Sequence, residues 1–105
     1  MIVVIGRVVT DAAKREQLVR IAHAVASTSR EEEGCRSYRI YEDTEISNEF
    51  VFVEEWEDQA ALERHFGTPH VAEFMQAIPE TVVATPDVRF HTIASTVDLA
   101  EVQRR

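Results

Sequence analysis

The sequence predicts an α+β domain of the ferredoxin-like, split-βαβ kind (βαββαβ): an antiparallel sheet with helices on one face. Three observations predict it. Four runs with strand character, at 2–9, 35–43, 49–56 and 86–97, are separated by helical patterns at 13–33, 59–66 and 68–79. The connection between the second and third runs, Thr44 to Asn48, has only hairpin length. The third run carries apolar groups on both faces, so the sheet needs cover on both sides.

Each element has its own grounds. Ile2-Val3-Val4-Ile5 continues through Gly6 to Val9 as an apolar strand, and the isolated Gly6 predicts a bulge ahead of the alternative, a close backbone approach. Thr10 and Asp11 supply cap chemistry for the first helix. Leu18, Ile21, Ala22, Val25 and Ser29 recur at spacings of three and four and form its inner face. Gly34 reads as the glycine that stops this helix. Strand two, Cys35 to Asp43, places Tyr38 and Ile40 on one face. Strand three places Phe50, Phe52, Glu54 and Trp56 on one side and Val51, Val53 and Glu55 on the other. Asp58 caps a short helix that Gly67 ends, and Thr68-Pro69 is an N-cap and N1 pair for the next. Val71, Phe74, Met75 and Ile78 make the stripe of that helix. Pro86 to Val97 is the last strand, with Val88 and Phe90 sharing a face. Residues 1–97 form a single domain, and 98–105 form a polar C-terminal tail that frays or docks on a neighbour.

Bulk properties narrow the function. At 105 residues the chain is one domain with one modest core. Its net charge of −8 opposes binding to a phosphate backbone, which argues against nucleic acid. No apolar run approaches the roughly 20 residues that cross a bilayer, so no membrane role is expected. Met1 leads straight into a strand with no leader pattern, and the lone Cys35 forms no internal disulfide; both suit a cytoplasmic protein. Helices on one sheet face leave an apolar face bare, and the same face of a second copy is its simplest cover. A homodimer with facing sheets follows.

Two motifs resemble a known family. Glu33-Gly34-Cys35 leading to Tyr38 resembles the entry to the second strand of the antibiotic biosynthesis monooxygenase (ABM) domain. Phe50 to Trp56, followed by Ala60-Ala61-Leu62, His65 and Thr68-Pro69-His70, resembles that family's central stretch. The resemblance spans about residues 2 to 92. It implies a dimeric α+β barrel that oxidises phenolic or quinol-type aromatics with molecular oxygen, with no metal, flavin or haem as cofactor. It also implies a pocket between sheet and helices, lined by the tryptophan matching Trp56. Aromatic-polyketide oxygenases of the family carry an asparagine and a tyrosine where this chain has Phe52 and Leu62. The chain is therefore more similar to the quinol-monooxygenase-like branch that keeps two histidines. Haem-degrading relatives place a histidine near the position of Met75.

Cofactor-free oxygenation needs a dry pocket, a base that works near neutral pH and donors for an oxyanion. His65 and His70, which flank the helix break, are the candidate catalytic bases. Each also fits a structural role at a helix terminus. Trp56, Tyr38, Phe52, Leu62, Phe74 and Met75 are the candidate substrate-binding residues, and their spacing equally suits core packing. Arg39 and Arg89 are better matched to surface carboxylates. No metal is expected, because His65 and His70 lie five apart across a break with no third ligand at a recognisable spacing. Cys35 reads as a small buried residue. The expected partners are a small aromatic substrate and molecular oxygen. The alternative function is a non-catalytic dimeric module that binds a small ligand, with haem binding or degradation as a third.

Overall fold

The computed structural model describes residues 1–105. The strands are β1 (Ile2–Val9), β2 (Cys35–Glu42), β3 (Glu49–Trp56) and β4 (Asp87–Thr92). The helices are α1 (Arg15–Ser29), α2 (Gln59–Phe66), α3 (Pro69–Ala77) and α4 (Leu99–Arg104). The sheet runs β2-β3-β1-β4 with every neighbouring pair antiparallel. This is the ferredoxin-like order, with the first and third strands central.

Strand parity decides what is inside. Ile2, Val4 and Val8 of β1 and Phe50, Phe52 and Trp56 of β3 are buried beneath the helices. Leu18, Ala22 and Val25 meet them from α1, on the stripe the spacing predicts, joined by Ala26. The opposite row, Val3, Ile5, Val51 and Val53, is only half-buried. No helix of the chain is long and apolar enough to cross a membrane.

The helix termini show where local chemistry overrides the pattern. Asp11 accepts a hydrogen bond from the Ala13 N–H and opens a 3-10 turn, Ala12–Lys14, before α1 begins. The helix then ends at Ser29, four residues earlier than the pattern predicts. Glu31, Glu32 and Glu33 stand where the negative end of the helix dipole disfavours them, so the chain leaves the helix in a series of turns. Gly34 is thus not the residue next to the helix cap. It lies at φ 85° at the entry to β2, and a Cβ there would stand 2.5 Å from the Ala61 Cβ. A glycine is required both by the backbone and by the approach of α2.

Two further expectations change. The register of β1 runs unbroken through Gly6, which pairs with Phe52 and Val88, so there is no bulge. The strand irregularity lies instead between Cys35 and Ser37. β4 ends at Thr92, short of the expected Val97, with the Ile93 N–H donating to the Met1 carbonyl at 3.0 Å. The residues after Asp98 are helical, with the Asp98 carboxylate capping the Glu101 N–H.

Candidate active site

A cavity of about 480 Å³ lies between the inner face of the sheet and α3. Val4, Gly6, Val8 and Phe52 line it from the sheet, and Phe74 and Ile78 face them. Phe66, Met75, Val88 and Phe90 also line it and are about half exposed, so they form its rim. The cavity exists because α1–α3 cover β2, β3 and β1 but leave β4 exposed. Twelve of its 17 lining residues are apolar, which makes a space suited to an apolar ligand.

Its polar wall is small and ordered. Glu54, Tyr38 and His65 line the cavity and are all buried. Glu54 is on the inward row of β3, so strand parity alone turns a carboxylate toward the core. The Trp56 indole N–H donates to Glu54 Oε1 at 2.9 Å. Burial raises the Glu54 pKa to about 7 against the opposing effect of hydrogen bonds from Trp56 and Tyr38. Burial also raises the Tyr38 phenol, with the neighbouring Glu54 charge adding to it, so Tyr38 remains a donor.

His65 is brought to this wall by the end of α2. Its Nδ1 lies 2.7 Å from Glu32 Oε2, and its Nε2 lies 3.6 Å from Glu54 Oε1. Its ring packs on the Trp56 indole with centroids 4.4 Å apart. Glu32 accepts the Nδ1–H, which assigns the lone pair to Nε2, on the side facing Glu54. Burial lowers the His65 pKa, although Glu32 opposes this, so the imidazole is neutral near pH 7. His70, in the first turn of α3, shares the same Glu32 oxygen through Nε2 at 2.8 Å. The Thr68 hydroxyl bridges the helix break by donating to the His65 carbonyl at 2.6 Å.

The sequence-predicted residues separate into two groups. Tyr38, Phe52, His65, Phe74 and Met75 all reach the cavity. Trp56, Leu62 and His70 do not. Trp56 is fully buried behind His65 and Glu54, so the expectation of an indole wall is replaced by an indole that supports that wall. Leu62 is a core residue under α2. His70 instead borders a second hollow of about 290 Å³ beside Thr28 and Glu73. Sequence reasoning missed Glu54 and Glu32 as site residues. For Glu54 the signal was available, as a carboxylate between Phe52 and Trp56 on an otherwise apolar row. For Glu32 there was none, since it meets the histidines only through the fold. It also supplies the third potential ligand that spacing did not reveal: the donor atoms of Glu32, His65 and His70 lie within 4.8 Å of one another. Cys35, at the start of β2, is half-buried with its thiol donating to the Ser37 carbonyl at 3.6 Å. Burial, with help from the Glu32 and Glu54 charges, pushes its pKa up to about 11.

The family description for antibiotic biosynthesis monooxygenases matches residues 1–77. The chain belongs to the antibiotic biosynthesis monooxygenase family. It is 36% identical to sll1783 of Synechocystis over 98 residues, covering 93% of this chain and 67% of that protein. It is 34% identical to YcnE of Bacillus subtilis over 84% of this chain and 93% of that protein, whose name carries the word monooxygenase. Among solved structures, Rv0793 of Mycobacterium tuberculosis superimposes with a TM-score of 0.86 at 27% identity, covering 92% of this chain and 98% of that one. A Deinococcus radiodurans structure described as an antibiotic biosynthesis monooxygenase shares the fold at a TM-score of 0.89 and 21% identity. Membership in the antibiotic biosynthesis monooxygenase family supports a monooxygenase-like role.

Proposed function

We propose that this protein is a cofactor-independent monooxygenase that oxidises a quinol or polycyclic phenol with molecular oxygen. One observation carries the reading: an apolar cavity has a single polar wall, where Glu54 and a neutral His65 face each other at 3.6 Å. An aromatic alcohol held there has a base near neutral pH in largely apolar surroundings.

The reaction begins when Glu54 or His65 Nε2 removes the hydroxyl proton. Glu32, bonded to Nδ1, stabilises the imidazolium that forms when His65 holds the proton. The electron-rich anion passes an electron to oxygen, and recombination forms a carbon–oxygen bond. Loss of water from the resulting hydroperoxide leaves a carbonyl. One oxygen atom stays in the quinone, and the other leaves as water with two substrate hydrogens. Once Glu54 holds the proton, the Tyr38 hydroxyl is released from that carboxylate and donates to the developing oxyanion.

The test is oxygen uptake by metal-free protein against a panel of quinols and anthrones. Uptake with matching quinone formation is expected, falling by about 10²–10⁴ in kcat for His65→Ala. Absence of uptake with every substrate overturns the reading. The apolar Phe52 on the cavity wall favours a second reading, a ligand-binding module, which is the outcome if a ligand occupies the cavity and no product forms.

The half-buried outer row Val3, Ile5, Val51 and Val53 supports a homodimer closed sheet to sheet. Light scattering at micromolar concentration is expected to give twice the 12.0 kDa chain mass. A monomer under those conditions removes the dimer.

A further inference from the structure

We propose that Glu32, His65 and His70 form a binding site for a divalent transition-metal ion of the Zn2+ type, and that filling it disables His65 as a base. The binding half stands on geometry alone. The inhibitory half rests on the reading of His65 given above.

Three elements converge on the site. Glu32 comes from the turn after α1, His65 from the last turn of α2 and His70 from the first turn of α3. One Glu32 oxygen lies 2.7 Å from His65 Nδ1 and 2.8 Å from His70 Nε2. Ligands about 2.0–2.1 Å from a tetrahedral ion stand about 3.3 Å apart, so each Glu32–histidine pair needs to separate by about half an ångström, while the two imidazole nitrogens, within 4.8 Å of each other, settle to the same spacing. Two imidazoles and a carboxylate suit Zn2+ and its neighbours rather than Mg2+ or Ca2+. His65 also has an outer carboxylate in place, because its Nε2 faces Glu54 Oε1 at 3.6 Å. A metal-bound imidazole commonly donates its other N–H to such a partner. Entry is from the α1–α3 side, where His70 and Glu32 are partly exposed and His65 is not.

The consequence for chemistry follows from the tautomer. With the metal on Nδ1, the neutral His65 ring carries its proton on Nε2. That atom then points an N–H, not a lone pair, at the cavity wall and at Glu54. His70 makes the reverse shift, with Nε2 taking the metal and Nδ1 the proton. Neither change adds or removes a proton overall.

Equilibrium dialysis of the purified protein against Zn2+ tests the site, with thermal unfolding in parallel. One ion retained per chain and a raised Tm are expected. Glu32→Gln and His70→Ala should each weaken retention at least about tenfold, whereas His23→Ala and His91→Ala, on the exposed surface, should not. Circular dichroism confirms that each variant is folded. No retained Zn2+, or retention that follows His23 or His91, overturns the site. Retention with oxygen uptake unaffected by Zn2+ overturns the inhibitory half. Retention in a protein that never consumes oxygen removes the oxygenase reading and the inhibitory half, and leaves the binding site standing.

Discussion

Trp56 donates its indole N–H to Glu54 Oε1 at 2.9 Å, two residues along the same strand face. The indole therefore acts through the carboxylate and not on the contents of the cavity. This bond opposes the burial that raises the Glu54 pKa to about 7. Trp56→Phe removes the donor and leaves a buried acceptor without it, at a cost of about 1–3 kcal/mol. The Glu54 pKa should climb further, and the acidic limb of the kcat/KM profile should move to higher pH. A profile unchanged from wild type would show that the carboxylate does not act as the base.

The same carboxylate makes stability depend on pH. Its folded-state pKa lies above the ordinary 4.5, so the folded protein holds this proton more tightly than the unfolded chain. Its contribution is favourable at low pH and is lost as the pH rises from about 4.5 through about 7, on the order of 3 kcal/mol in all. His65 acts in the other direction: its lowered pKa gives stability above its ordinary 6.5, lost as the pH falls through the lowered value. Glu54→Gln keeps an acceptor for Trp56 and removes the titration. Urea melts of this variant should lose less stability than wild type between pH 5 and pH 8. Equal losses would mean that the carboxylate does not carry its raised pKa.

Gly6 is the floor of the cavity. A Cβ there would meet Val88 Cγ2 at 3.6 Å and Phe52 Cβ at 3.7 Å, both ordinary contacts. Gly6→Ala therefore fits the strand and projects a methyl group into the space that a substrate would fill. Ligand affinity should fall at least about tenfold, or about 1.4 kcal/mol, with Tm kept or raised. Isothermal titration with an aromatic ligand and a thermal melt separate the two effects.

Gly34 gives the opposite result. Its positive φ and the 2.5 Å approach to the Ala61 Cβ leave an added methyl group no space. Gly34→Ala should cost on the order of 2–4 kcal/mol in chemical denaturation, through strain and overpacking together. Adding Ala61→Gly should return part of that loss, since the two sites are in contact. A single variant as stable as wild type would contradict this packing.

The sheet was legible because β3 carries apolar side chains on both faces and turn chemistry separates the elements. His65 and His70 were legible because Gly67-Thr68-Pro69 forces a helix break between them. Three features were not. The end of α1 depends on a balance between periodicity and the dipole that the Glu31–Glu33 run tips. Glu32 joins its histidines across more than 30 residues, so only the packing of α1 against α3 brings them together. Trp56 has the parity of a lining residue, but His65 and Glu54 stand between it and the cavity, and strand parity carries no information on depth.

Cys35 has a consequence for durability. Peroxides attack the thiolate, and a sulfur with its pKa near 11 holds almost none of that form at neutral pH. The chain's single sulfhydryl is thus kept in its inert form in a protein whose proposed chemistry produces reduced oxygen species. Repeated turnover should leave Cys35 unmodified, with no need for a reducing partner to restore it.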